Sequence, residues 1–372
     1  MNVFIQEIKE YDFEKIYDFL KESTIDFWDT IKDKKNILIK PNLLAAFQPE
    51  KAVTTHPVIL EALIILLKEH KKNILLGDGP GGTTSVKKVY QETGMKELCE
   101  RHNVKLVNFS EGGIVEKSIE SHKFGISKHF MQADAVINVS KMKTHSLMYY
   151  TGAVKNLYGT IPGLKKSDFH KNYPDPDSFG KVLSELYKIV QDKIVLNIMD
   201  GIWGMEGEGP SAGVPRNFGL VFTCEKASAL DFVASRMMGF KIDKLKYIKS
   251  AIEFDKINPA QINVPQKWEN FIFHKVKIKK VGFMIKIFTY SPQFLKNIFR
   301  KFYWFYPAFN DKCTLCEVCV KSCPVQAMEI RENDRTPTID LSKCIKCMCC
   351  HELCPSNAVY IKKSFLAKYI IK

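Results

Sequence analysis

Nine of the chain's eleven cysteines lie between Cys313 and Cys354, in one spacing used twice. Cys313, Cys316, Cys319 and Cys323, followed by Pro324, read C-x2-C-x2-C-x3-C-P; Cys344, Cys347, Cys350 and Cys354, followed by Pro355, repeat it. Two-residue gaps let three thiolates wrap one face of an iron–sulfur cube, and the residue past the three-residue gap reaches the other cube. Each proline fixes φ and offers no N–H, which turns the chain away after the fourth cysteine. Paired zinc sites are the alternative, but they use isolated cysteine pairs, not a triplet plus a crossing residue. A secreted disulfide scaffold would spread its cysteines and would be shorter than 372 residues. Residues 1–7 show no basic n-region, and no run of about 18 apolar residues is present, so neither a signal peptide nor a membrane span is expected. The thiols are accordingly read as metal ligands in a reducing cytoplasm.

The two runs resemble those of two-cluster bacterial ferredoxins. The resemblance implies that Cys313, Cys316, Cys319 and Cys354 hold one 4Fe–4S cluster, and that Cys344, Cys347, Cys350 and Cys323 hold the other. It also implies a small C-terminal α+β module. Bacterial ferredoxin loops usually carry small residues between the ligands, whereas here those positions hold Glu317, Lys346, Met348 and Cys349. Bulk there alters solvent access and the amide hydrogen bonds to sulfur, so a potential does not carry over. Cys349, Cys99 and Cys224 are read as buried spare thiols.

Charge divides the rest. Residues 241–306 hold 14 Lys/Arg against 4 Asp/Glu, which supplies ten of the chain's net +14. The sequence reads as a nearly neutral domain over 1–240, a basic aromatic connector over 241–306 and the cysteine module over 307–372. In the first part, apolar β-rich runs at 36–40, 73–77, 104–109, 135–140, 195–199 and 219–223 alternate with helical periodicity at 57–70, 85–101, 178–192 and 227–238. A further helix is expected near 12–22. This alternation predicts an α/β fold, a mostly parallel sheet with helices on both faces.

Five polar segments follow predicted strands, and open α/β sheets bind ligands at their strands' carboxyl ends. Lys40 and Asn42 follow the first run, then Thr54, Thr55 and His56, where His56 is either a helix cap or a catalytic group. Gly77, Gly79 and Gly82 form a G-x-G-x-x-G match that encloses Asp78 and Gly81. Its acidic partner Glu111 lies 29 residues past Gly82, Pro80 has no N–H and Asp78 would repel a pyrophosphate, so a tight turn or an oxyanion site is favoured over a dinucleotide. Lys141, Lys143, His145, Lys155 and Asn156 belong to a stretch running to His170 that is rich in cations and suits a carboxylate or phosphate ligand. Desolvation at a strand end would suit Lys141 to base chemistry. Asp200, Glu206 and Glu208 lie among glycines and are read as a loop that holds a divalent metal, acts as acid/base partners or is simply solvated.

Residues 36–240 resemble the uncharacterised family catalogued as domain of unknown function 362. The carrying segments are Ile39–Leu43, Thr54–Pro57, Gly77–Gly82, Val139–His145, Thr151–Gly159 and Met199–Gly207. Members of that family often carry a ferredoxin module, and the resemblance implies an iron–sulfur protein without supplying a reaction. The leading expectation is an oxidoreductase that passes electrons from a redox partner protein through two clusters to a small anionic molecule. Lys141, His145, Lys155, Asp200, Glu206 and His56 are its catalytic candidates. Lys40, Asn42, Asp78, Gly79, Gly81, Gly82, Lys143 and Asn156 are its binding candidates. A bound organic cofactor or divalent metal in the α/β domain is a further expectation. A non-enzymatic electron-transfer subunit and a non-redox enzyme with structural or sensory clusters remain as alternatives. The connector packs the module onto the sheet, docks an acidic redox partner, or contacts the inner face of a membrane through 283–306. No nucleic-acid motif accompanies its charge.

Overall fold

The computed structural model describes residues 1–265 apart from 84 and 164, residues 271–273, 276, 277 and 292, and residues 304–365. The strands of the first part are β1 (Phe4–Glu7), β2 (Asn36–Lys40), β3 (Asn73–Asp78), β4 (Lys105–Asn108), β5 (Ile114–Ile119), β6 (His122–Ser127), β7 (Ala135–His145), β8 (Tyr149–Thr151), β9 (Ile194–Glu206) and β10 (Val214–Cys224). The main sheet runs in the order β1-β10-β9-β7-β2-β3-β4, and β8 adds to the far end of β7. β9, β7, β2, β3 and β4 are parallel, while β10 and β1 close one edge antiparallel.

Alternation along β2 shows why helices cover both faces. Ile37 and Ile39 point into one core, shared with helices Phe13–Ser23, Pro57–Glu69 and Met95–Arg101. Leu38 points into the other, shared with helices Pro176–Val190, Ala227–Met237 and Lys246–Phe254. A parallel sheet with both faces buried reads as a continuous apolar run, and the Asn36–Lys40 sequence NILIK is one. Pro57 opens its helix at the first position, with the His56 side chain accepting from Val58 N. The single helix expected over 85–101 is broken into Val86–Glu92 and Met95–Arg101 by Gly94 at φ 74°.

Two strands run well past their expected ends. β7 continues to His145 because β8 pairs with its far end, as in His145↔Tyr149, and β9 continues to Glu206 because the antiparallel β10 supplies partners as far as Val214↔Glu206. Asp200 and Glu206 are therefore strand residues, not members of a glycine loop. The connector also begins later than residue 241. Lys246–Phe254 packs on Pro176–Val190, Tyr247 OH donates to Tyr150 O at 2.8 Å, and Asn263 bridges to Asn2. The expected membrane-contact segment 283–306 lies almost wholly outside the described residues. No helix among the described residues is long and apolar enough to cross a membrane.

The C-terminal module is built from β11 (Phe305–Phe309) paired with β14 (Val359–Lys363), and β12 (Met328–Glu329) paired with β13 (Thr338–Ile339). Its two short helices, Val318–Lys321 and Cys349–Leu353, occupy matching places in the two cysteine runs. The match extends to the backbone. Leu315 and Glu317 flank Cys316 in the left-handed region, at φ 52° and 60°, as Lys346 and Met348 flank Cys347 at 58° and 63°. Bulky residues thus adopt the conformation that glycine adopts most readily, because the loop must curl its thiols inward.

Candidate functional site

Cysteines of the two runs lie close enough to influence one another's charge. Cys319 lies within electrostatic reach of Cys354, Cys316 and Cys313. Cys350 lies within reach of Cys347, Cys344, Cys319 and Cys323. The two crossing cysteines accept matching amide hydrogen bonds, Ala327 N to Cys323 Sγ at 3.3 Å and Ala358 N to Cys354 Sγ at 3.2 Å. Such N–H···S contacts stabilise thiolate charge and tune potential. The donor set therefore fits two cubane clusters: Cys313, Cys316, Cys319 and Cys354 would hold one, and Cys344, Cys347, Cys350 and Cys323 the other. Among the described residues no three His, Cys, Asp or Glu side chains close on one point as a single ion requires, whereas cubane ligands stand at the corners of a box.

The second of these thiol sets faces the sheet domain. Thr83 N donates to Ser322 Oγ at 3.1 Å, beside Cys323, and Ser211 Oγ donates to Glu352 O at 2.6 Å, two residues past Cys350. The Gly77–Gly82 loop is the cradle. A Cβ on Gly82, whose φ is +66°, would stand 2.6 Å from Ser322 Oγ and 2.7 Å from Leu353 Cδ1. The loop sets cluster-bearing helices against the strand ends, and that close approach accounts for its glycines without a nucleotide.

Between the two parts lies a cavity of about 90 Å³. The sheet domain contributes Asn42, Asp78, Lys143, Lys155, Lys166 and His170, with Gly79, Gly81 and Gly82 at the rim, and the module contributes Cys349, Glu352 and Leu353. Beneath it, Lys40 Nζ and Asp78 Oδ1 form a buried ion pair at 2.7 Å, and Leu43 N donates to Asp78 Oδ2 at 2.9 Å. A chain of amides holds the wall: Asn42 Nδ2 donates to Asn156 Oδ1 at 3.0 Å, and Asn156 Nδ2 to Asn138 Oδ1 at 2.8 Å. Lys143 Nζ donates to Val53 O at 2.7 Å and Asn42 Oδ1 at 3.1 Å. Its pKa falls well below the ordinary lysine value through burial, then through the neighbouring Lys155 and Lys141. Lys166 donates to the Gly79 and Pro80 carbonyls, and burial lowers its pKa to about 8. His170 stacks on Phe179 with centroids 4.3 Å apart, and burial brings its pKa down to about 3.

His145 stands behind the cavity. Its Nδ1 accepts from Leu147 N at 3.1 Å and Met148 N at 3.3 Å, which leaves the proton on Nε2. That nitrogen faces Glu352 Oε1 across 3.7 Å, beyond hydrogen-bond distance.

The other catalytic candidates do not reach this cavity. Lys141 Nζ and Asp200 Oδ2 form a fully buried pair at 2.7 Å. Tyr11 OH donates to Asp200 Oδ1 at 3.0 Å and receives Lys141 Nζ at 2.8 Å, His56 N donates to Asp200 Oδ2 at 3.0 Å, and the Tyr11 ring stacks on His56 at 3.6 Å. This closed network ties the chain before helix Phe13–Ser23 to the sheet. Desolvation lowers the Lys141 pKa, as the sequence suggests, but the ammonium is already engaged. Glu206 pairs with Arg216 at 2.6 Å and Glu208 with Lys363 at 3.5 Å. Asp200, Glu206 and Glu208 thus hold three separate cations, which removes the expected divalent-metal site. Cys349 is buried, but as a cavity wall. Tyr11, Glu352 and Leu353 were not anticipated as partners of these groups, although His351–Leu353 stand within the second cysteine run.

A family model described as "Domain of unknown function (DUF362)" matches residues 37–236, and one described as "4Fe-4S dicluster domain" matches residues 312–358. The chain belongs to the domain of unknown function 362 family. A thylakoid-associated protein of Synechocystis sp. is 30% identical over 277 residues, 73% of this chain and 84% of that protein. Among solved structures, the lactate racemase apoprotein from Thermoanaerobacterium thermosaccharolyticum aligns at 17% identity and a TM-score of 0.40, over 62% of this chain and 56% of that one. The domain of unknown function 362 match spans β2 to the helix Ala227–Met237, and so contains every sheet-domain residue of the cavity. With its dicluster domain, this member of the family is an iron–sulfur protein of the electron-transfer type.

Proposed function

We propose that this chain is an iron–sulfur oxidoreductase in which electrons pass through two 4Fe–4S clusters to a small anionic molecule held between the sheet domain and the module. One observation carries the reading: the cavity that gathers Lys143, Lys155 and Lys166 is closed by Cys349 and Glu352, from the helix that bears Cys350. A carrier that only shuttles electrons has no use for three lysines pooled against its own cluster loop. The lysines bind and orient the anion, and the Asn42–Asn156 wall fixes Lys143. Leu353 and the glycine cradle exclude water. When bound, the clusters supply one-electron transfer. Cys316 is exposed on the opposite run and offers an external redox partner protein its contact. The relative's thylakoid association agrees with a place at a membrane surface, for which the basic aromatic segment 283–306 is the candidate contact.

The test is native against denaturing mass spectrometry of anaerobically purified protein, followed by dithionite reduction. Two clusters plus an organic molecule that leaves on denaturation, and whose addition reoxidises the reduced clusters, support the reading. Two clusters that no bound or added small anion reoxidises would leave an electron-transfer subunit.

A further inference from the structure

We infer that the cavity takes a small carboxylate of about three to six non-hydrogen atoms, anchored on Lys155. This deepens the oxidoreductase reading and rests on it for the identity of the site, though not for the chemistry of binding.

The argument begins with which cation lacks a partner. Lys40 is matched by Asp78 at 2.7 Å, Lys143 by Asn42 and Val53, and Lys166 by two carbonyls of the glycine loop. Lys155 lines the same space, and among the described residues it has no hydrogen bond or ion pair. It is also central. Its charge acts on Lys143, Lys166, His145 and His170, and that of Glu352 acts on it. Asp78 is paired with Lys40, and Glu352 faces Lys143 and Lys155 from the module side. An ammonium that faces a lined cavity without a protein partner is an anchor for an anion.

Size and polarity narrow the class. About 90 Å³ is far below the roughly 300–1,000 Å³ of pockets that hold drug-sized ligands, which suits a carboxylate of a few carbons rather than a nucleotide. Two further buried polar atoms have no hydrogen-bond partner, Glu352 Oε1 and His170 Nδ1, and both belong to cavity residues. Glu352 Oε1 is an acceptor for a hydroxyl on the carbon beside the carboxylate. Glycolate meets these requirements, and acetate lacks the hydroxyl.

The test is anaerobic isothermal titration of the cluster-loaded protein with glycolate and acetate, for the parent and for Lys155→Met, Lys155→Arg and Lys165→Ala. Iron content and circular dichroism confirm that each variant is folded and loaded. Saturable glycolate binding is expected, tighter than acetate, weakened about 10- to 100-fold by Lys155→Met, partly retained by Lys155→Arg and unchanged by Lys165→Ala on the exposed side. No saturable binding of glycolate, acetate bound as tightly as glycolate, or equal affinity in the parent and Lys155→Met would overturn the inference. The two readings fail separately. Lys155-dependent glycolate binding in a protein whose reduced clusters no bound or added small anion reoxidises sinks the oxidoreductase and keeps the anchor, and cluster oxidation by a small anion that is indifferent to Lys155 does the reverse.

Discussion

Replacing Gly82 by alanine tests whether the glycine loop is a cradle for the cluster module. Two costs arise, and they act on different equilibria. At φ +66° an alanine pays about 1–2 kcal/mol of backbone strain, but this burdens the loop whether or not the module is docked. The docking-specific cost is steric. The new Cβ stands 2.6 Å from Ser322 Oγ and 2.7 Å from Leu353 Cδ1, against an ordinary contact near 3.5–4 Å. Leu353 has little room to turn, being 6% exposed, and Ser322 is held by Thr83 N. Overpacking of this kind costs about 1–3 kcal/mol, which lowers the docked-to-undocked ratio roughly 5- to 150-fold. Amide hydrogen exchange is the assay. Faster exchange is expected in the module helix Cys349–Leu353 and at Thr83, while the core strands β2 and β7 stay protected. A second substitution, Ser322→Gly, removes one clash and should recover part of the protection. Unchanged exchange at Cys349–Leu353 in Gly82→Ala would refute the cradle, and with it the closure of the cavity by the module.

Asp200→Asn leaves the Lys141 ammonium buried without its counter-charge. A loss of about 3–5 kcal/mol is expected, read as a fall in Tm of roughly 6–20 °C. Lys141→Met with Asp200→Leu should recover most of it, and glycolate affinity should be the same in all three if this network is structural. His170 is held neutral, with its pKa near 3 against an ordinary 6.5. The unfolded chain gains a proton as pH falls through about 6.5 and the folded chain does not until about 3, so stability is full above that window and drains away within it. From pH 7.5 to 5 this amounts to about 2 kcal/mol, and His170→Gln should shrink the Tm difference between those pH values. Cys349→Ser should keep both clusters by iron and sulfide analysis, whereas Cys350→Ser should lose one; loss of a cluster in Cys349→Ser would make the thiol a ligand.

What the sequence alone determined is what short-range geometry controls. The C-x2-C-x2-C-x3-C-P runs specify their chemistry within a dozen residues each, because thiol spacing along one loop decides what it can wrap. Apolar runs such as NILIK identify parallel strands because both faces must be buried, and the Pro57 helix start is equally local. Sheet order and docking decided the rest. Lys141 and Lys143 are two residues apart, yet the pairing of β7 with β9 shifts between them, from Lys141↔Asp200 to Lys143↔Met205. One lysine therefore enters a sealed ion pair and the other reaches the cavity. Asp200 and Glu206 read as one acidic loop until β10 draws both into a strand, where β7 gives Asp200 a lysine and β10 gives Glu206 an arginine. Cys349 reads as spare, and Glu352 as an unremarked neighbour of the ligands, until the module lies on the strand ends. These outcomes depend on contacts between segments about 10 to 270 residues apart in the chain, most of them far apart, and no local pattern of residues encodes which charge a buried side chain will meet.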